Sequence, residues 1–294
     1  MPSDKLKNQL HLHFIVFIWG FTAILAALIS VDAVTLVWYR VLIASITIFI
    51  FLKLKKTPFK EKKSDIVKLL IGGILIALHW TTFFHAIKIS TISTTLITLS
   101  TSALFVVLIQ PIFIKKKFLF FELILAIITI IGFVIIFRIE KLYTEGIIYA
   151  LISALLLAIF SIYNSKLIQN YQASKIAFYE LFFAFLFMSV ILFLRESFKV
   201  SFFKLNPSDW IYITILATIC TAYPFVIAAN LLKKMSPFTL ILTNNLEPVY
   251  GIILALIIFG DKEKMSFQFY IGAILIISSV ILNGIIKNRL RFKK

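Results

Sequence analysis

Several things are scarce in this chain. It has one cysteine, Cys220, so no internal disulfide can form. Its four histidines are scattered, and it holds no paired carboxylates, metal-ligand spacing or glycine-rich phosphate loop. Those absences leave no pattern for a metal centre, an acid–base pair or a nucleotide-binding domain, and no cofactor is expected. The short alternating segments of an outer-membrane barrel are missing too. Acidic residues number only 13 against 30 basic ones. What is abundant is apolar: 61% of residues are hydrophobic, 31 are Phe, and the mean hydropathy is +1.02. Apolar runs of about 20 residues recur along the chain, which marks a polytopic helical membrane protein.

The net charge of +17 could suggest nucleic acid. The distribution of the charge points to the bilayer instead, and no nucleic-acid partner is expected. Ten spans can be drawn, near residues 11–30, 34–52, 66–87, 91–114, 118–137, 146–165, 174–194, 210–232, 238–259 and 267–286. The first is too long for a signal-peptide core and is expected to be retained. With the N-terminus inside, 20 Lys and Arg fall in cytoplasmic segments and eight outside. By the positive-inside rule this predicts a multi-pass protein of the plasma membrane (a bacterial inner membrane) with both termini cytoplasmic.

The two halves of the chain resemble each other. Trp38-Tyr39-Arg40 parallels Phe178-Tyr179-Glu180, and the junction after span 3 parallels the junction after span 8 at an offset of 145 residues. That offset pairs Thr94 with Thr239, Thr98 with Thr243 and Ser102 with Glu247, each trio forming one helix face. Five spans per half force the second half to insert upside down. The expected architecture is therefore an all-α membrane protein of ten transmembrane helices in two inverted five-helix repeats, 11–137 and 146–286. Inverted repeats around a midplane site are the arrangement of secondary transporters.

Particular motifs carry a family resemblance: Trp19-Gly20, Arg40 and Ala86-Ile87-Lys88 in the first half, and Leu232-Lys233-Lys234-Met235-Ser236-Pro237 with Leu246-Glu247-Pro248-Val249-Tyr250 in the second. Gly260-Asp261 stands where the family usually has Gly-Glu, and Gly272 opens a last span of the family type. The chain resembles EamA-type transporters of the drug/metabolite transporter superfamily over nearly its whole length. It departs from them at Ser102-Ala103, where a proline is common, and at Leu157-Ala158, which replaces Trp-Gly. The resemblance implies movement of a small organic solute (a metabolite, amino acid or cationic compound) across the bilayer.

Glu247 lies roughly 15 Å into its apolar run at the helical rise per residue. An acid so deep normally faces a cavity or a partner. Pro248 deprives the Asn244 carbonyl of its helical donor. Glu247, Asn244 and Thr243, with Asn230 and Asn245 nearby, are thus candidates for a polar pocket. His79 can exchange a proton near neutral pH, and Trp80 can stack on an organic substrate; the other reading is a His79 satisfied by a span 4 hydroxyl and a Trp80 that only packs. The Thr94–Thr98–Ser102 stripe supplies Thr98 and Ser102, and Tyr223 lies opposite His79 in the repeat. Pro224 predicts a second kink. Arg40 and Glu180 are expected near opposite mouths, each roughly 8–10 Å deep, as gating or helix-tethering residues unless they snorkel.

These features favour a secondary transporter working by alternating access, with spans 3, 4, 8 and 9 around the site and a gradient of protons or an exchanged solute as its drive. The alternative is a membrane-embedded enzyme acting on a lipid-linked or small apolar substrate. A channel would need a ring of filter groups, and a fused pseudo-dimer does not require an oligomer.

Overall fold

The computed structural model describes residues 2–57, 63–114, 120–139, 143–232, 243–244 and 246–291, and the side chains of most of them. The protein is all-helical, with no strand among these residues. Its helices are α1 (Pro2–Leu28), α2 (Ala33–Leu54), α3 (Lys63–Ile89), α4 (Ile92–Leu99), α5 (Ser102–Ile114), α6 (Phe120–Ile139), α7 (Thr144–Leu167), α8 (Ala173–Leu194), α9 (Pro207–Ala217), α10 (Tyr223–Leu232), α11 (Glu247–Phe259) and α12 (Phe267–Arg291).

Among the described residues, seven helical stretches are long and apolar enough to cross a membrane: Leu6–Leu28, Ala33–Leu54, Asp65–Ile89, Ile92–Phe113, Thr144–Leu167, Ala173–Leu194 and Pro207–Leu231. They correspond to the expected spans 1–4 and 6–8. Spans 5 and 10 contain the shorter apolar stretches Ile127–Ile136 and Phe267–Ser279. Span 9 is described only in part, because 233–242 and Asn245 lie outside the described residues, as does the Leu232–Pro237 motif beyond its first residue.

Two spans are not the plain helices their apolar patterns suggest. The expected span 91–114 breaks into α4 and α5 at Ser100-Thr101. There the hydroxyl of Ser100 donates to the Ile97 carbonyl at 2.6 Å and that of Thr101 to the Thr98 carbonyl at 2.7 Å. Such back-bonding competes with the helical ladder. The span 210–232 carries a π-helical turn, Thr218–Ala222, just ahead of Pro224. Within it the Thr221 hydroxyl donates to the Leu216 carbonyl, five residues back, at 2.6 Å. A proline and a π-turn are recognised causes of helix distortion, and π-turns cluster at functional sites.

The helices pack reciprocally. α3 lies on α7 and α8, while α9–α10 lies on α1 and α2. α1 packs on α11 as α4–α5 packs on α7. α2 meets α8, α4 meets α11 and α6 meets α12. Exchanging the two halves maps this contact pattern onto itself.

One end of the bundle is stitched by polar side chains. Asp209, at the start of α9, accepts from the backbone N–H and the hydroxyl of Ser30 at 2.8 and 2.5 Å. Glu263 accepts from the backbone N–H groups of Ile92 and Ser93 and from the Ser93 hydroxyl, each at 2.9 Å. A carboxylate there answers the orphan donors and the positive dipole of the α4 N-terminus. The Lys88 ammonium donates to the Ile29 carbonyl. The α1–α2 turn, the α3–α4 turn and the beginning of α9 are thereby held together.

Candidate functional site

A cavity of about 150 Å³ lies inside the bundle. Helices α1–α5, α7, α8, α10 and α11 supply its wall, together with the π-turn; among the described residues none of α6 or α12 takes part. This is a wider contribution than the spans 3, 4, 8 and 9 expected from the sequence. The wall continues to Ile168, Ile176 and Ala229, near the end of the bundle opposite the stitched one.

Arg40 is only 2% exposed, so it does not snorkel to a membrane surface. Its Nε donates to the Thr221 hydroxyl at 2.7 Å, and its guanidinium carbon sits 3.8 Å from the centre of the Trp80 ring and 5.1 Å from that of Phe84. The π-turn presents Thr221 at this point. Planar stacking plus one directed hydrogen bond holds a guanidinium in place in a way a lysine could not reproduce. Glu247, at the first position of α11, is 9% exposed and lies within Coulombic reach of Arg40. No ion pair within 4 Å joins the two among the described residues.

The unsatisfied polar atoms are concentrated here. Among the described residues, six buried side-chain oxygens or nitrogens lack a hydrogen-bond partner: Thr22 Oγ1, Arg40 Nη1, Thr98 Oγ1, Asn164 Oδ1, Glu180 Oε1 and Asn244 Oδ1. All but Thr98 belong to residues of the cavity wall. A buried polar group without a partner costs about 1–3 kcal/mol, and native proteins keep few of them. Such a cluster around one hollow is suited to a polar ligand.

The structure brings together Glu247, Asn244, His79, Trp80, Ser102, Arg40, Glu180 and Pro248 on that wall. His79 Nδ1 is bonded to Ser153 of α7, 3.0 Å from its carbonyl and 2.8 Å from its hydroxyl, and that hydroxyl also donates to the His79 carbonyl. The expected partner was a hydroxyl of span 4. Trp80 is occupied by the Arg40 stack as well as facing the cavity. Arg40 and Glu180 do not pair with each other, yet both line the same hollow rather than separate mouths.

The other candidates among the described residues lie elsewhere. Tyr223 is 41% exposed, and its hydroxyl is 2.7 Å from His11 Nε2. The extra residue of the π-turn shifts the helix register, so Cys220, Thr221 and Phe225 reach the wall instead. Thr98 is buried but off the wall, because the break after Leu99 turns Ser100 and Ser102 to the cavity in its place. Thr94 is engaged by Thr91. Thr243 is half-buried and off the wall, and Asn230 is exposed. Pro224 is buried directly after the π-turn.

Residues missed from sequence alone include Trp19, Thr22, Phe160, Asn164, Thr221 and Phe225. The internal repeat held a signal for some of them. At the offsets already noted, Trp80 matches Phe225, Leu99 matches Asn244, Ile76 matches Thr221 and Ser102 matches Glu247; Arg40 matches Glu180 and Trp19 matches Leu157. Both members of every one of these pairs line the cavity. The Trp80 and Phe225 rings meet edge-to-face with centroids 6.0 Å apart.

Comparison with solved structures finds one described only as the crystal structure of a protein, at a TM-score of 0.67 and 16% identity, aligning 94% of this chain with 96% of that one. At that identity the likeness concerns the fold. Comparison with curated proteins gives no match. The EamA-like transporter family, by contrast, matches residues 10–138 and again 144–285, nearly the whole chain in two successive copies. This multi-pass helical membrane protein therefore belongs to the EamA-like transporter family.

Proposed function

We infer that the protein is a secondary transporter that moves a small organic solute through the cavity by alternating access, its ten spans forming two inverted five-helix repeats (11–137 and 146–286). The observation that carries this reading is the set of unpartnered polar atoms around one hollow inside the bundle. The reciprocal packing of the halves and the pairing of repeat mates across the wall support the inverted arrangement. Two such halves can rock about a fixed site.

With the N-terminus cytoplasmic, the stitched end faces outward and the Ile168–Ile176 end faces inward. The conformation is then one sealed on the outside by Asp209, Glu263 and Lys88. Arg40 Nη1 needs an acceptor, whereas Asn244 and Glu247 offer acceptors to a donor. A solute carrying both an anionic oxygen and an amine, with an apolar body against Trp80, Phe160 and Phe225, satisfies the wall better than a simple cation, which Arg40 would repel.

Uptake into proteoliposomes of a panel of amino acids, organic acids and organic cations, with and without a pH gradient, tests the function. Saturable movement of a solute bearing both groups is expected. A panel on which no compound moves faster than in protein-free vesicles refutes it. Orientation has its own probe, because the chain's one thiol, Cys220, lies in the wall. A membrane-impermeant thiol reagent should label Cys220 from the cytoplasmic side and much less from the other, and transported solute should slow that labelling. Equal labelling from both sides would contradict the sealed outer face.

A further inference from the structure

Glu180 sits on α8 with 0% exposure and lines the cavity. One of its oxygens, Oε2, accepts from the Asn164 amide nitrogen at 3.2 Å. The other, Oε1, has no partner, and neither has the amide oxygen of the same Asn164. Two adjacent side chains thus each leave one acceptor buried and unused. A carboxylate offers only acceptors, so turning the Asn164 amide over relocates the conflict without removing it.

No positive charge resolves it. α8 packs on α2, α3 and α10. From α2 the cations are Arg40, bonded to Thr221, and Lys53, exposed at the helix end with its ammonium 5.6 Å from the Phe49 ring. From α3 they are Lys68, which is paired with Asp65 at 3.1 Å, and His79, bonded to Ser153. From α7 come Tyr163, whose hydroxyl donates to the Lys68 carbonyl at 2.9 Å, and Lys166, which donates to the Phe113 carbonyl at 3.1 Å. α10 contributes only Tyr223, exposed beside His11. Glu247 shares the cavity and carries the same sign. Among the described residues no ion pair reaches Glu180. An ionised carboxylate buried in that way is heavily penalised.

We propose that Glu180 and Asn164 form a one-proton site, in which Glu180 Oε1 carries a hydrogen and donates it to Asn164 Oδ1. A carboxylic acid and a carboxamide then close a ring of two hydrogen bonds, and one proton satisfies both orphaned atoms at once. The ligand is a proton, and Glu247 is left to the solute. The site binds its proton in this conformation and releases it when rearrangement of the wall separates Glu180 from Asn164 or admits water. That last step rests on the transporter reading; the protonation itself does not.

Infrared spectroscopy of the purified protein in lipid at neutral pH tests the proton directly. Wild type minus Glu180→Gln should show loss of a protonated carboxylic-acid carbonyl band, and Asn164→Leu should shift that band to the frequency of a less hydrogen-bonded acid. Spectra of wild type and Glu180→Gln that coincide in the protonated-acid carbonyl region, and differ only in carboxylate and amide bands, would overturn the site, since the carboxyl would then be ionised. In proteoliposomes, whatever uptake Glu180→Gln retains should be the same with and without a pH gradient; a surviving gradient response would overturn the coupling role. If the wild-type protein moves no solute on any panel, the transport reading fails while the infrared result still decides the proton.

Discussion

Glu247→Gln is expected to slow uptake in proteoliposomes by about ten- to a hundredfold while the protein still inserts and folds. The substitution keeps the shape of the side chain and removes its charge. A hydrogen bond to a charged group contributes about 1.5–3 kcal/mol, and each 1.4 kcal/mol is about a factor of ten in binding. The change therefore falls on solute recognition, because Glu247 is not tied to Arg40 or to another cation within ion-pair distance among the described residues. Arg40→Lys should be at least as damaging. It keeps the charge but loses the fork that spans Thr221 on one side and the open cavity on the other, as well as the flat stack on Trp80. Wild-type rates in Glu247→Gln would remove that acid from the solute's path and leave it a helix-kinking residue beside Pro248.

The second large effect concerns folding. A Cβ placed on Gly73 would stand 2.6 Å from the Glu180 carbonyl oxygen, 2.8 Å from Phe183 Cβ and 3.0 Å from the Ala184 nitrogen. These are mostly backbone atoms of α8, so nothing flexible can yield, and even Gly73→Ala must push α3 and α8 apart. Overpacking of this kind typically costs about 1–3 kcal/mol, and a bulkier residue costs more. Gly73→Val is expected to abolish the recovery of folded, monodisperse protein, with Gly73→Ala showing a clear drop in melting temperature. Gly72→Ala makes the informative comparison. Its Cβ would collide with the Glu180 carboxyl group, the far end of a side chain that can swing away. That variant should fold with a smaller loss of stability and yet disturb the Glu180–Asn164 pair. Equal melting temperatures for Gly73→Ala and the wild type would show that the α3–α8 contact is looser than its geometry implies.

The neighbouring glycines thus tie the packing of the bundle to its chemistry. Because Gly73 lets the α3 and α8 backbones approach, Glu180 is driven into the interior instead of reaching a membrane surface. From the sequence, an acid some 8–10 Å from a helix end could have snorkelled. What decided against that was a small residue on a different helix, a hundred positions away in the chain. Arg40 behaves likewise. Its depth suggested a mouth of the pathway, but Trp80 and Phe84 on α3 and Thr221 on the π-turn draw it into the cavity wall.

Other features were readable because they rest on local rules. The acid-proline pair at Glu247-Pro248 announced a polar, distorted point in an apolar run, and both residues line the cavity. The likeness between the halves paired Ser102 with Glu247 and Arg40 with Glu180, and those pairs share one hollow. The stripe Thr94–Thr98–Ser102 failed because it assumed an unbroken helix, and serine and threonine back-bonding at Ser100 and Thr101 breaks the periodicity it relied on. Tyr223 failed for a kindred reason: a π-turn inserts one residue, and a single insertion rotates every later side chain by about 100° at 3.6 residues per turn.

The sequence by itself determined the solvent this protein lives in, its all-helical class and its two related halves, because hydropathy, charge counts and local motifs act along the chain. Only the tertiary structure decided which side chains share a cavity and which polar atoms are left without partners there. Those outcomes depend on where helices touch and where their ladders slip, and a close glycine contact or one extra residue in a turn changes them without altering the apolar pattern.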